Sequence, residues 1–546
     1  MSLSSRRIRL LTRVVGALVL AAGSPLGAQT LPTDLRGEAF VGSEVEGYLR
    51  LLQIGGDASL YPWSIRAFSP REVERLLAPD STHPWQERYA LGPGSTRGPR
   101  VSLVRPRARM AYNTAFPFGV NDGATWAGRG ATASLQAGFS VVYGPLSATV
   151  APVAFWAENR EFDLQPNGYD GRRAFADPRW PDLVDAPQRF GTGSYSRIDP
   201  GQSTVRADIG PAALGVSSAN QQWGPVRYSP IILGGNAPGF VHAFAGTSRP
   251  VDLWIGRLHG RLVWGRLEQS EYSGMPSDSS RRLMSGLVGV FTPRGAPGLE
   301  IGLSRFFHSP WGEDGPSRDD LLLPLEGFLK VGSSERDDDP DTAPRNQLAS
   351  VFLRAVFPGS GFEVYGEYGR EDHSWDFRDL MLEPDHQSAY ALGLSKVWKR
   401  SATERVAVHA EAMNSQVTHL SRVRPQGNFY YHTRLRQGHT HRGQFLGTPA
   451  VYGGGASTVA AEYFHTGGRW TVSWNRAIRQ DDAPIVWRGN STSQGVDSYH
   501  ALNAEVLRFY GRWELAAGVA GVYNRRRYYE SNVFNLNAGL SVSSSF

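Results

Sequence analysis

Residues 534–546 read FNLNAGLSVSSSF. Phe534, Leu536, Ala538, Leu540, Val542 and Phe546 fall on one side of an extended chain, with only Ser544 interrupting the apolar set. Asn535, Asn537, Gly539, Ser541, Ser543 and Ser545 fall on the other. Successive side chains of a strand point to opposite faces, so this is a strand with one apolar and one polar face. A strand of a soluble sandwich alternates in the same way, so its neighbours must decide between the two.

Working back along the chain, such strands recur in pairs joined by very short turns. Leu283–Phe291 and Leu299–Phe307 flank TPRGAPG; Val351–Phe357 and Phe362–Tyr368 flank PGSG. Between the pairs lie long polar segments at 309–345, 372–387, 419–455 and 480–497. Short turns at one end and long loops at the other are the habit of outer-membrane barrels, and a sandwich has no reason to segregate them. Carried back to residue 100, the alternation predicts strands near 103–113, 130–143, 146–158, 198–209, 212–220, 250–257, 260–269, 282–291 and 298–308. It then predicts 346–357, 362–371, 388–398, 405–418, 456–466, 469–479, 498–509, 512–525 and 533–546. The total is eighteen, an even number that puts both ends of the barrel on the periplasmic side; that parity also settles the weak pair around Gly210-Pro211.

The rest of the composition agrees with an exported membrane barrel. Arg6, Arg7, Arg9 and Arg13 precede the apolar stretch Val14–Ala22, and Leu26-Gly27-Ala28 offers a small-residue cleavage site, so 1–28 reads as a secretory signal peptide. The chain has 57 basic and 51 acidic residues; four basic and no acidic residues lie in 1–28, which leaves a balance of +2 and no case for nucleic acid as a partner. There is no cysteine, which excludes disulfides, thiol catalysis and cysteine-ligated metals. No later apolar run approaches the ~18 residues of a spanning helix. A closed barrel is then the remaining way to cross a bilayer, with outer-membrane lipid around it.

Residues 29–97 differ in pattern. Val45, Tyr48, Leu49, Leu51 and Leu52 have mostly helical spacing. Ser69, Pro70 and Glu72 in SPREVERLL form an N-cap, a first-turn proline and a capping-box partner. We expect a helical periplasmic region here, closing the barrel from below or docking a periplasmic partner, ahead of a barrel over 98–546.

Two segments break the alternation. Residues 221–240 read QQWGPVRYSPIILGGNAPGF, and 428–447 read NFYYHTRLRQGHTHRGQFLG. Strand parity puts both at the extracellular mouth or folded into the lumen. Aromatic faces stack on sugar rings and arginines pair with carboxylates, so the combination suits an acidic polysaccharide. The competing expectation is that these groups pack the loops against the barrel wall and line the lumen.

These residues carry a resemblance. The 221–240 stretch resembles the WGP-centred signature of the Wzi-type capsule-assembly family, and RQGHTHRGQFLG (436–447) is similar to a second segment of it. RFGTGSYSRIDPGQSTVR (189–206), EYGREDHSWDFRDL (367–380) and the lead YLRLLQIGG…PWSIR add weaker matches. The chain departs from the pattern in having Gln222-Trp223 where members often have paired aromatics, and Gly234-Gly235 before Asn236. The resemblance implies an eighteen-stranded outer-membrane barrel with a small helical bundle. It also implies a lectin-like role in holding capsular or exopolysaccharide at the cell surface. The candidate polysaccharide contacts are Trp223, Arg227, Tyr228, Asn236, Tyr430, Tyr431, Arg434, His441 and Arg442. The final aromatic strand resembles the signal read by the barrel-assembly machinery, and polysaccharide export proteins are further expected partners. The alternative is a passive or gated channel for sugars.

An enzyme is not expected. There is no G-x-S-x-G, H-E-x-x-H or P-loop. His439 and His441 would share a strand face and reach a metal, but spacing offers no third ligand. The run Glu335–Asp341 (ERDDDPD) lacks the spacing of a calcium loop. Glu363, Glu367 and Glu371 read as lumen-facing groups that need arginine partners. No cofactor or metal is expected.

Overall fold

In a computed structural model the chain is described over residues 39–77, 83–85, 99–275, 281–312, 315–326, 344–371, 381–416, 427–479 and 497–544. The expected signal peptide and the Glu335–Asp341 run lie outside these residues.

Eighteen antiparallel strands close into a barrel. The first strand, Arg100–Asn113, pairs with the last, Val533–Ser544, in a register that sets Arg107 opposite Ser543 and Asn113 opposite Asn537. The opening alternation is realised in space: Phe534, Leu536 and Leu540 face outward, while Asn535 is fully buried inside. Exposed apolar side chains such as Leu353, Val364, Leu392, Val472 and Leu502 cover the outer wall. Exposed aromatics collect beside the short turns, at Tyr143, Trp254, Phe357, Trp398 and Tyr510. An apolar band edged by aromatics is the outer surface of a membrane barrel, and the short turns mark its periplasmic end. In the PGSG turn, Gly361 has φ +65°, and a Cβ there would lie 2.2 Å from the Val397 carbonyl oxygen, so this turn requires glycine.

One strand departs from expectation. The strand expected over 250–257 is instead His242–Thr247 followed by Val251–Leu253, and its partner runs Gly256–Glu268. The turn falls at Trp254-Ile255. HAFAGT pairs with the preceding strand from His242↔Ser217 to Thr247↔Ala212, and a break before Val251 hides this pairing from a simple alternation count. The third and fourth strands are interrupted likewise, at 151–152 and 200–203.

The lumen is filled from both ends. At the periplasmic end helix α1, Glu44–Gly55, is capped by Ser43 and buried on all sides from Tyr48 onward. A helix surrounded this way must satisfy every polar side chain internally. Arg50 donates to Glu363 at 3.1 Å and to the Pro225 carbonyl at 2.8 Å. Arg354 bonds Glu363 (2.7 Å), Glu300 (2.6 Å) and Gln53 (2.6 Å), and Glu300 accepts the Trp63 amide at 2.9 Å. Helix α2, Pro70–Leu76, shows the expected capping box between Ser69 and Glu72. Tyr48 stacks on Trp85, and both pack against Phe464 and Leu507 of the wall. The lead therefore fills the short-turn end of the barrel.

From the extracellular end, residues 218–241 and 427–454 fold inward. Trp223, Ile231, Ile232, Leu233, Phe429 and Tyr430 form one apolar cluster with Val263, Val288, Phe306, Leu348 and Phe352 of the wall. Lead and plug also meet directly, with Ile65 paired to Trp223 and Arg66 to Gln222.

Candidate functional site

Eight of the nine candidate contacts separate into three environments, and the ninth, Tyr228, borders a cavity. Trp223, Asn236, Tyr430 and His441 are buried in the plug. Trp223 packs on Phe306 with ring centres 6.0 Å apart, and its Nε1–H donates to Gln221 at 3.0 Å. Beside it, Gly224 adopts φ +89°, and a Cβ there would sit 2.3 Å from a Glu367 carboxylate oxygen. Asn236 donates to the Phe445 carbonyl at 2.9 Å. The Tyr430 amide donates to Glu371 and its hydroxyl to the Ile231 carbonyl. His441 Nδ1 accepts the Glu268 amide at 3.0 Å. These four side chains are turned inward by the apolar burial of the plug and pack loop against wall, as in the competing expectation.

Arg227 and Arg442 are held in ion pairs. Arg227 bonds Glu462 at 3.1 Å and lies over the Tyr228 ring. The successive amides of Arg227, Tyr228 and Ser229 donate to the Glu411 carboxylate at 2.7, 3.0 and 2.7 Å, fixing this corner of the plug to the wall. Arg442 bonds Asp199 at 2.9 Å and Glu268 at 2.7 Å. A guanidinium already neutralised by carboxylates has little left for an acidic sugar. Tyr431 and Arg434 remain toward solvent: Arg434 is exposed, and Tyr431 packs on Trp180 at 4.9 Å.

The possible metal pair does not form. His439 Nε2–H donates to the Ile232 carbonyl at 2.6 Å, and its Nδ1 accepts from His308 at 2.9 Å. Burial lowers the His439 pKa to about 3, against the Ile232 bond and with help from Arg282, so it stays neutral. Among the described residues no three His, Asp or Glu side chains come together as metal ligands. Glu363 has the arginine partners expected of it, Arg50 and Arg354.

One space inside the barrel is left open. A cavity of about 720 Å³ runs between the plug and the wall formed by the Gly455–His465, Gly468–Arg479, Asp497–Tyr510, Val533–Ser544 and Arg100–Asn113 strands. Ser473, Asn475, Asn503 and Asn537 line its wall side; Tyr228 of the plug and Trp126 of the 114–129 loop line the opposite side. Asp177 also borders it; burial raises this carboxyl to about 6 although the Arg179 and Trp180 amides donate to it. Of the nine candidates only Tyr228 lines this shaft. Trp126, Trp180, Asn475 and Asn503 lie outside the residues that composition singled out, because a lone aromatic or amide in an alternating strand or short loop carries no local signal.

A family model described as capsule assembly protein Wzi matches residues 128–522. Among solved structures, the fold is similar to Wzi, an outer-membrane protein involved in group 1 capsule assembly in Escherichia coli and described as a carbohydrate-binding β-barrel. The identity is 14%, the TM-score 0.61, and the match covers 93% of this chain and 99% of that one. A BenF-like porin from Pseudomonas fluorescens Pf-5 aligns at 8% identity and TM-score 0.40, over 82% of this chain and 99% of that one. Acinetobacter baumannii OccAB3 aligns at 10% and 0.39, over 82% and 99%. Both are too distant to bear on function. No curated protein sequence matches the chain. The family match spans well over half of the chain, and the eighteen-stranded outer-membrane barrel agrees with it: the protein belongs to the Wzi capsule-assembly family.

Proposed function

We propose that this outer-membrane barrel binds capsular or exopolysaccharide and helps hold or assemble it at the cell surface, without catalysing a reaction on it. The observation that carries this reading is the filled lumen. Loops that a porin would leave around an aqueous path are here packed into an apolar cluster with Trp223 and Tyr430 at its heart. The aromatic and arginine groups left toward water, Tyr431 beside Trp180 and Arg434, form a surface suited to sugar rings. The barrel-assembly machinery acts on the final strand, and polysaccharide export proteins deliver the chain that the barrel holds.

The test compares a deletion strain with its parent at equal total polysaccharide synthesis. Polysaccharide should move from cells to medium on deletion and return with the complementing gene. An unchanged distribution sinks the proposal.

A further inference from the structure

We propose that the shaft between plug and wall is a saccharide site, taking a short run of the glycan lengthwise inside the barrel. This rests on the polysaccharide-binding reading and says where in the molecule the chain is gripped.

The interior of the barrel is asymmetric. The apolar plug leans on the strands from Gly256–Glu268 to Arg405–Asn414, through Val263, Val288, Phe306, Ala391 and Met413. The opposite wall, from Gly468–Arg479 round to Arg100–Asn113, presents hydroxyls and amides to an open space of about 720 Å³. That volume falls within the ~300–1,000 Å³ of typical ligand sites. The two sides of the shaft are chemically distinct. Ser473, Asn475, Asn503 and Asn537 stand on the wall; Tyr228 of the plug and Trp126 of the 114–129 loop line the other side. A sugar ring is apolar on its flat faces and polar at its rim, so an aromatic side opposite an amide side matches both.

Arg109 pairs with Asp122, and Arg469 with Glu505 at 2.5 Å, while Arg476 and Arg479 also line the shaft. The shaft also has a floor. Arg469 joins Glu505 to Glu44 of α1 at 2.8 Å, and Trp85, Phe464 and Leu507 fill the barrel below. A chain entering from outside is held and does not pass through.

The test uses the full-length protein and polysaccharide sheared from the same cells, both intact and cut by mild acid to short oligomers. Ser473→Trp and Asn503→Trp fill the shaft and leave the outer loops untouched. Each should weaken oligomer binding by about tenfold or more, the loss of one good contact, while the barrel keeps its heat-modifiable gel mobility. The chain has no cysteine, so Ser473→Cys provides a second readout that tolerates misfolding of the tryptophan variants: oligomers should slow its reaction with a maleimide. Oligomer binding unaltered in the folded tryptophan variants, or maleimide labelling unaffected by bound oligomer, overturns the shaft site and leaves the surface reading standing. A wild-type protein that binds neither polymer nor oligomer removes the function reading as well.

Discussion

Trp223 lies in the stretch most similar to the family signature, so whether its ring touches sugar or holds the plug is the sharpest question for mutagenesis. Its side chain is fully buried, its ring packs on Phe306, and a Cβ on Gly286 would lie 2.6 Å from its Cη2. Cutting it back to alanine leaves a cavity that close neighbours on a rigid wall cannot collapse. Core Trp→Ala changes cost about 3–5 kcal/mol. If that falls on the plug, the ratio of seated to released plug drops by roughly two to four powers of ten, at about 1.4 kcal/mol per tenfold step. Single-barrel recordings in a planar bilayer would read this directly. The wild type should be nearly silent and Trp223→Ala should flicker open, with Trp223→Phe between them because it retains a ring. Limited proteolysis should cut the 218–241 segment faster in the alanine variant. A Trp223→Ala barrel that stays silent and protease-resistant yet loses polysaccharide binding would refute the packing argument and make the ring a sugar contact.

Glu363→Gln leaves Arg50 and Arg354 buried without their shared carboxylate, and breaking such a pair costs about 3–5 kcal/mol; the temperature at which the folded gel band disappears should fall clearly, and an unchanged temperature would show the network to be dispensable. Lowering the pH should loosen the plug. His439 is held to about 3, below its ordinary 6.5, so the released state takes up the proton first. Plug stability is full above pH 6.5 and declines by about 1.4 kcal/mol per unit as the pH drops toward 3. Opening events counted at pH 7.5 and pH 5 should therefore increase in acid, and a flat profile would contradict the assignment. Tyr431→Ala combined with Arg434→Ala should shift polysaccharide from cells to medium while leaving gel mobility and conductance unchanged; full retention would remove this patch from the binding surface.

The strand pattern was legible because a barrel wall imposes a strict two-residue period on every strand, with lipid on one side and a polar interior on the other. FNLNAGLSVSSSF shows this in thirteen residues. The capping box at Ser69 and Glu72 was equally local, since its partners stand three residues apart. Interrupted strands were harder: HAFAGT pairs correctly, but the break before Val251 displaced the expected strand along the chain.

The site was another matter. Composition in 221–240 and 428–447 marked residues that matter, yet it could not separate a ring that meets sugar from one that meets Phe306. That difference depends on which way a loop folds. The direction is set by contacts across 182 to 313 residues of sequence, Ser229 to Glu411 and Arg50 to Glu363 among them. Likewise, the shaft exists only because the plug leans on one side of the barrel. Alternation along a strand is a property of neighbours in sequence, and the chain carries it openly. A cavity is a property of groups that fail to touch, and it appears only when the whole interior is packed.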